Sequence, residues 1–157
     1  MATENNITLK DIQSVRFTWD RMSNVLTSIV LTGLFGLCAV LIYKEPGFES
    51  LLTLAIVTVI LGAAASFTPR GLSVDNDYIV IHKIIGKVVI DKRDITSVKG
   101  IDASMLRHST RLAGTMQVFG YWGIFRNRKL GKYRLYATNL NRLALIETAT
   151  KKYVINY

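Results

Sequence analysis

Two long uncharged segments constrain the fold of this chain more than any other feature of its sequence. Residues 25–43 (VLTSIVLTGLFGLCAVLIY) and residues 51–67 (LLTLAIVTVILGAAASF) contain no Asp, Glu, Lys or Arg. As helices they would reach about 28 and about 26 Å, which is close to the hydrocarbon thickness of a bilayer. Neither segment has the polar face that a core helix of a soluble protein shows. They therefore predict a transmembrane helical hairpin.

The segment between the two apolar runs, residues 44–50 (KEPGFES), predicts a tight turn. Its Pro46-Gly47 pair favours a chain reversal, so both outer ends of the hairpin would lie on one side of the membrane. Positive charge then selects the side. Basic residues near the outer ends are Lys10, Arg16, Arg21, Arg70, Lys83 and Lys87. The turn has only Lys44, beside two glutamates. We therefore expect a multi-pass protein of the plasma membrane with both termini in the cytoplasm.

The positive charge of the chain is concentrated after the second apolar run. The whole sequence has a net charge of +9, whereas residues 68–157 contain sixteen Lys and Arg against six Asp and Glu, an excess of ten. Only residues 68–71 separate the second run from strand-like sequence, a reach of at most about 14 Å. A basic domain held this close to the cytoplasmic leaflet would be attracted to anionic lipid. We expect membrane lipids as partners and no nucleic acid, which would need the charge on a face turned away from the bilayer.

Residues 68–157 have the alternation and composition of β-strands rather than a helical period. In KYRLYAT, Tyr133, Leu135 and Ala137 would face one side of a sheet. The predicted strands are 78–85, 87–90, 95–99, 132–138, 143–148 and 153–157, with 116–119 as a further short strand. The predicted fold is therefore a membrane α-helical hairpin followed by an all-β domain, a bent sheet or open barrel of six to seven strands.

Residues 120–139 (GYWGIFRNRKLGKYRLYATN) carry a resemblance to a known family, together with LALIET and KKYVINY further on. The glycine–aromatic–glycine turn, the basic loop that ends in Leu-Gly and the strand that follows are similar to those of the bacterial pleckstrin-homology-like (PH-like) domain family. The resemblance covers residues 70–157. It implies a bent antiparallel sheet of seven strands, often in a protein with membrane spans, here of a bacterial inner membrane. It implies no catalytic residues and no agreed ligand.

The N-terminal segment, residues 1–24, is a candidate for covering one end of the β domain. PH-like domains normally close the sheet with a C-terminal helix, which we expect to be missing because the sequence ends at Tyr157 in the last predicted strand. The N-terminal segment or a second subunit would then cover the opening. Apolar residues that recur at helical spacing are Ile12, Val15, Trp19 and Met22. We expect an amphipathic helix on the membrane or against the β domain. The alternative is that these residues begin the first transmembrane helix.

The stretch FRNRKLGKYR, residues 125–134, contains five basic side chains and no acid. The candidate ligand-binding residues are Arg126, Arg128, Lys129, Lys132 and Arg134. Cations that converge on one loop, here closed by Gly131, suit a phosphorylated headgroup or an anionic partner, since arginine binds oxyanions in a bidentate manner and lysine acts as a point charge. The alternative is a solvated hairpin tip whose charge only favours the cytoplasmic leaflet. Trp19 and Trp122 are candidates for the membrane interface.

No sequence pattern indicates catalysis or a metal site. His82, His108 and the single Cys38 lack ligand spacing, and no glycine-rich phosphate loop is present. Of the acids in the β domain, Asp75, Asp77, Asp91 and Asp94 fall at expected turns, and a structural ion pair is expected for Glu147. We expect a non-enzymatic, membrane-anchored PH-like module, without cofactor or metal, that binds a protein partner or an anionic lipid headgroup. The alternative is a structural protein that forms homo-oligomers through its β domain.

Overall fold

A computed structural model describes residues 7–116 and 118–157 of the chain. Residues 1–6 of the N-terminal segment, and Gln117, lie outside the described residues. The described chain begins with an N-terminal segment, continues through two helices and ends in a region built of β-strands. The helices are α1 (Arg21–Lys44) and α2 (Phe48–Ser66). The observed fold confirms the predicted class, in which two apolar helices precede a β domain of the PH-like type.

The two helices expose almost all of their apolar surface. The carboxylate of Asp20 caps α1 by accepting a hydrogen bond from the Ser23 amide at 2.6 Å, and α2 begins after Gly47. Both helices are long and apolar enough to cross a membrane. In their most apolar windows only 11% of α1 and none of α2 is buried, whereas a core helix of a soluble protein is mostly covered by its neighbours. The helical hairpin formed by α1 and α2 therefore contributes little to the core of the β domain.

The strands form two bent sheets that do not close into a barrel. The strands of the first sheet are β1 (Val15–Arg16), β2 (Pro69–Val74), β3 (Tyr78–Lys83) and β4 (Lys87–Asp91). The strands of the second are β5 (Ile95–Ile101), β6 (Thr110–Thr115), β7 (Tyr121–Asn127), β8 (Gly131–Ala137), β9 (Leu143–Thr148) and β10 (Lys152–Asn156). The sheet orders are β1-β2-β3-β4 and β5-β9-β10-β8-β7-β6. Neighbouring strands are antiparallel except β8 and β10, which are parallel.

Nine described strands follow the helices, more than the six or seven predicted. The predicted strand 116–119 is wrong, because its described residues lie in the turn between β6 and β7. The unpredicted strands β2, β6 and β7 contain Gly71, Gly114 and Gly123, residues that are depleted in strands. Gly114 and Gly123 face each other, and a Cβ at either position would overlap the backbone of the opposite strand. Glycine therefore permits the close approach of β6 to β7.

Two apolar clusters form the core, one on each face of the six-stranded sheet. Tyr133, Leu135 and Ala137 are buried on one face, which confirms their predicted alternation. Members of the first cluster include Phe125, Tyr133, Leu135, Ala137, Leu145 and Val154. Members of the second, which lies between the sheets, include Ile12, Phe17, Leu72, Ile79, Ile81, Ile146 and Ile155. Because β9 and β10 contribute to both clusters, both of their faces are buried, as their nearly continuous apolar sequences require.

The predicted amphipathic helix over residues 12–22 is wrong. The segment forms a 3-10 helix at Leu9–Asp11 and then β1, which pairs antiparallel with β2, and α1 starts only at Arg21. Ile12 and Phe17 are 2% and 9% exposed and pack between the two sheets. A short isolated helix is marginal in water, whereas strand pairing and apolar burial stabilise the extended form. The N-terminal segment thus packs against the β domain, and no α-helix follows β10 in the described chain.

The β domain is joined to the helices without a free linker, since only two residues separate α2 from β2. The buried Thr68 hydroxyl donates to the Phe119 carbonyl at 3.1 Å, and the Phe119 amide donates to Thr27 Oγ1 in α1 at 3.0 Å. The Tyr121 hydroxyl donates to the Asp20 carboxylate at 3.0 Å. These hydrogen bonds hold the beginning of β7 at the domain-side ends of both helices.

Candidate anion-binding hairpin

The β7–β8 hairpin carries all five of the predicted ligand-binding residues. Arg126 pairs with Lys132 and Asn127 pairs with Gly131, so the turn itself contains only three residues, 128–130. Gly131 has a φ of 71°, a conformation that favours glycine. The observed loop is therefore shorter than the predicted one, because Arg126 and Lys132 lie on strands. We call residues 126–132 the hairpin tip.

Asn127 organises the hairpin tip through four hydrogen bonds. Its Oδ1 accepts from the amides of Lys129 at 3.0 Å and Leu130 at 2.6 Å. Its Nδ2 donates to the Met105 carbonyl at 2.9 Å and to Ser109 Oγ at 3.0 Å. The first pair closes the turn, and the second attaches the turn to residues 103–109, a segment that begins with the short 3-10 helix Ala103–Leu106. The backbone that carries the cations is thereby held in one arrangement.

Apolar packing supports the hairpin tip from the core side. Leu130 is buried, and the rings of Phe125 and Tyr133 stack with their centroids 5.9 Å apart. The Tyr133 hydroxyl donates to Ser109 Oγ at 2.8 Å. Burial raises the pKa of the Tyr133 hydroxyl above its ordinary value, and the hydrogen bond to Ser109 acts in the opposite direction. Tyr133 is thus a neutral structural residue at physiological pH.

The five cations are free to interact with an external anion. Four of them are exposed, and Arg134 is partly buried on β8. None of the five forms an ion pair with a carboxylate of residues 7–116 or 118–157. Their net charge is therefore not compensated locally by the described part of the chain. Uncompensated cations on a rigid backbone suit oxyanion binding, because little order remains to be imposed when the ligand arrives.

The five cations do not converge on one pocket. A cavity of about 350 Å³ beside the turn is lined by Ser104, Met105, Arg107, His108, Asn127, Arg128 and Lys129. A second cavity of about 240 Å³ is lined by Lys132, Tyr133, Arg134, Thr150, Lys151 and Lys152. Arg128 and Lys129 thus border one cavity, and Lys132 and Arg134 border the other. Arg126 lines neither of these two cavities.

Sequence reasoning did not find the contribution of Lys151 and Lys152 to the second cavity. They lie beside Arg134 because β10 runs parallel to β8, with Tyr153 opposite Arg134. Lys152 Nζ lies 2.6 Å from Glu147 Oε1, which confirms the predicted structural ion pair of Glu147. The hydrogen bond from Lys152, followed by that from Ser97, holds the pKa of the Glu147 carboxyl below its ordinary value. Lys151 therefore adds a charge to this cavity that Glu147 does not neutralise.

The two tryptophans lie where the helices meet the β domain. The ring of Trp122 stacks on Phe67, with centroids 5.2 Å apart, and Phe67 is the C-cap residue of α2. Trp19 directly precedes Asp20, the N-cap residue of α1. Both positions are therefore level with the ends of the apolar helices. The hairpin tip begins five residues along β7 from Tyr121, a strand length of about 17 Å.

The other residues considered for catalysis or metal binding, His82, His108 and Cys38, lie in separate parts of the structure. The described residues contain no group of three or more His, Cys, Asp or Glu that could hold a metal ion. His82 Nε2 lies 2.8 Å from Ser73 Oγ, and Cys38 is buried in α1. His108, with a φ of 59°, lies in the turn before β6 and borders the first cavity.

Comparison with known proteins gives one significant finding. A family model described as Bacterial PH domain matches residues 70–156, which is more than half of the chain. The match spans β2 to β10 and includes the hairpin tip. Searches of curated proteins and of solved structures gave no significant match.

Proposed function

Because the chain belongs to the bacterial PH domain family, we propose that it is a membrane-anchored, non-enzymatic binding module at the cytoplasmic face of the inner membrane. Its ligand is an anionic group presented by a protein partner or by a lipid headgroup. The family as a whole supports a binding module. The membrane anchor, the orientation and the ligand chemistry are the specific parts of the proposal.

The hairpin tip is the observation that carries the proposed binding function. Four basic side chains lie within seven residues, without carboxylate partners among the described residues, on a turn closed by Asn127. Arginine at 126 and 128 offers bidentate donors to a phosphate or carboxylate, and lysine at 129 and 132 adds point charges. A purely solvated tip does not require the partly buried attachment to Met105 and Ser109.

The exposed apolar surface of α1 and α2 supports the membrane anchor. Almost none of the most apolar part of either helix is covered by protein. Transfer of this surface from water into lipid would stabilise the chain, since each buried methylene contributes about 0.8 kcal/mol. The basic β domain places the larger positive charge on the side of the outer helix ends, which favours the cytoplasmic face.

The test compares charge removal at the tip with the same charge removal elsewhere. The tip variant combines Arg126→Gln, Arg128→Gln and Lys129→Gln. The control variant combines Lys10→Gln, Arg16→Gln and Lys92→Gln, which also lowers the net charge by three. Each cation near an anionic surface contributes at most about 1 kcal/mol, so the tip variant should bind roughly tenfold to one-hundredfold more weakly.

Two arms of this experiment distinguish the two sources of the anion. In the first, the chain in nanodiscs is titrated with vesicles of neutral lipid or of lipid with added phosphatidylserine. In the second, the chain is purified gently from its own membranes, and stoichiometric companions are identified. If only the tip variant loses vesicle binding, the ligand is a lipid headgroup. If only the tip variant loses a co-purified protein, the ligand is carried by that protein. If the tip and control variants lose binding equally, the tip is not the site.

A homo-oligomer is the second candidate function, and the edge strand β6 favours it. β6 is an outer strand of the six-stranded sheet, and Leu112 on it is 53% exposed. An exposed edge strand can pair with another copy of the chain. Leu112→Cys in a Cys38→Ser background should then form a disulfide between copies in native membranes. A chain that stays strictly monomeric would remove this candidate.

A further inference from the structure

The turn between β3 and β4 exposes two large apolar side chains. Ile84 is 44% exposed and Ile85 is 66% exposed. The turn is closed by a hydrogen bond from the Lys83 amide to the Gly86 carbonyl at 3.1 Å, and Gly86 has a φ of 82°. The turn is therefore ordered by its backbone, whereas the two isoleucines contribute little to the core. Polar residues are the usual choice at such a position when it faces water.

Backbone hydrogen bonds attach this turn to the end of α2. The Ile84 amide donates to the Thr68 carbonyl at 3.0 Å, and the Ile85 amide donates to the Ser66 carbonyl at 2.9 Å. Ser66 is the last residue of α2. The two isoleucines are therefore level with the end of the apolar helix rather than at a remote point of the β domain.

The surroundings of the turn have the composition of a membrane–water interface. Phe67 is 47% exposed, stacks on Trp122, and lies under Lys83 Nζ, which is 5.0 Å from its ring centroid. Lys87 follows the turn and is exposed. Aromatic rings at the end of a span, with lysines that extend towards headgroups, are typical of the interfacial region.

We infer that the turn Ile84-Ile85 inserts into the interfacial region of the leaflet in which α2 ends, and forms a membrane contact of the β domain in addition to the helices. This inference rests on the proposed membrane anchor. The turn would bind membrane lipid at the boundary between headgroups and acyl chains, where Lys83 and Lys87 would contact lipid phosphates. The turn and the end of α2 together would fix the orientation of the β domain on the leaflet.

Depth-dependent fluorescence quenching tests the inference on the full chain in vesicles of phosphatidylcholine and phosphatidylglycerol. Single cysteines, in a Cys38→Ser background, are introduced as Ile56→Cys in the middle of α2, Ile85→Cys in the turn, and Asn76→Cys in the exposed turn at the opposite end of β3. Each is labelled with bimane. Quenchers are lipids that carry a nitroxide at the headgroup or deep in the acyl chain, and aqueous iodide.

The expected result is three different depths. The label at Ile56 should be quenched by the deep nitroxide, the label at Ile85 by the headgroup nitroxide, and the label at Asn76 by iodide alone. We expect iodide quenching at Ile85 to be at least threefold weaker than at Asn76. Ile84→Cys provides a second, independent reading of the same turn.

The possible failures are distinguishable. If Ile56 is deep while both turn positions are as accessible to iodide as Asn76, the membrane contact of the turn is refuted and the anchor stands. If Ile56 is itself accessible to iodide, the anchor and the inference are both refuted. A thermal unfolding midpoint for each variant, measured before labelling, shows whether the β domain has stayed folded.

Discussion

Asn127→Asp isolates the role of one side chain in building the hairpin tip. The change keeps the size of the side chain and the oxygen that accepts from the Lys129 and Leu130 amides. It replaces the Nδ2 donor by an oxygen that would face the Met105 carbonyl and Ser109 Oγ. The hydrogen bond to the Met105 carbonyl is lost, and two acceptors face each other there. The Ser109 hydroxyl can donate to the new oxygen only by giving up the hydrogen bond that it donates to a backbone carbonyl.

The expected cost of Asn127→Asp follows from these contacts. Each lost hydrogen bond contributes about 1 kcal/mol to the free energy of unfolding, and a partly buried acceptor left without a donor costs more. We expect a loss of about 2–3 kcal/mol. For a chain of this size, that loss lowers the unfolding midpoint by roughly 5–10 °C. The binding constant for the anionic ligand should fall as well, because the turn that carries Arg128 and Lys129 loses its attachment.

Asn141→Asp is the matched control, because it adds the same negative charge at an exposed position. Thermal unfolding of both variants in the same detergent, followed by near-UV circular dichroism, measures the difference. The midpoint of Asn141→Asp should stay close to that of the unmodified chain. Midpoints for Asn127→Asp and Asn141→Asp within about 1 °C of each other would refute the assigned role of Asn127.

Three further predictions concern the rest of the described structure. Gly123→Ala should lower the free energy of unfolding by more than about 2 kcal/mol, because φ is 138° and the new methyl group would overlap the β6 backbone. Thr27→Val should cost about 1–3 kcal/mol in thermal unfolding, because it leaves the buried Phe119 amide without its acceptor. Glu147→Gln, which removes the partner of Lys152, should cost about 0.5 kcal/mol near neutral pH. The cost should disappear as the pH falls through the folded-state pKa of Glu147, below the ordinary 4.5.

The controls for these three predictions lie in the same chain. Gly131→Ala also has a positive φ but meets no atom within 4 Å, so it should cost less than Gly123→Ala. Thr58→Val changes a threonine whose hydroxyl only donates to a carbonyl of its own helix, so it should have little effect. Because the pKa of Glu147 is lowered on folding, its ion pair stabilises the fold near neutral pH and this stabilisation is lost in acid. A cost that instead grows with acidity would contradict the assigned ion pair.

Much of the fold was predictable because local sequence determines it. The two uncharged runs correspond to α1 and α2, and the alternation of Tyr133 and Leu135 corresponds to β8. The pairing of β1 with β2 joins residues more than 50 positions apart, across the entire helical hairpin, and no local period indicates it. An amphipathic spacing from Ile12 onward suggested a helix, although Ile12 is buried between sheets by an extended segment.

The candidate site was predictable in its charges but not in its construction. The basic residues of the tip are visible in the sequence, and their positions in space depend on strand pairing. Lys151 borders the second cavity only because β10 lies parallel to β8. Asn127 reads as an ordinary turn residue, and its importance depends on Met105 and Ser109, which precede it by about 20 residues in a segment without a clear pattern.

Topological labelling in intact cells tests the central claim most directly, namely that the helical hairpin crosses the membrane and holds the cationic β domain at its cytoplasmic face. In a Cys38→Ser background, Glu45→Cys marks the turn between the helices and Lys129→Cys marks the hairpin tip. We predict that a membrane-impermeant maleimide labels Glu45→Cys in cells whose outer layer has been permeabilised while the inner membrane is intact. It should label Lys129→Cys only after the inner membrane is disrupted. Labelling of Lys129→Cys before disruption, or recovery of the chain in the soluble fraction, would contradict the account.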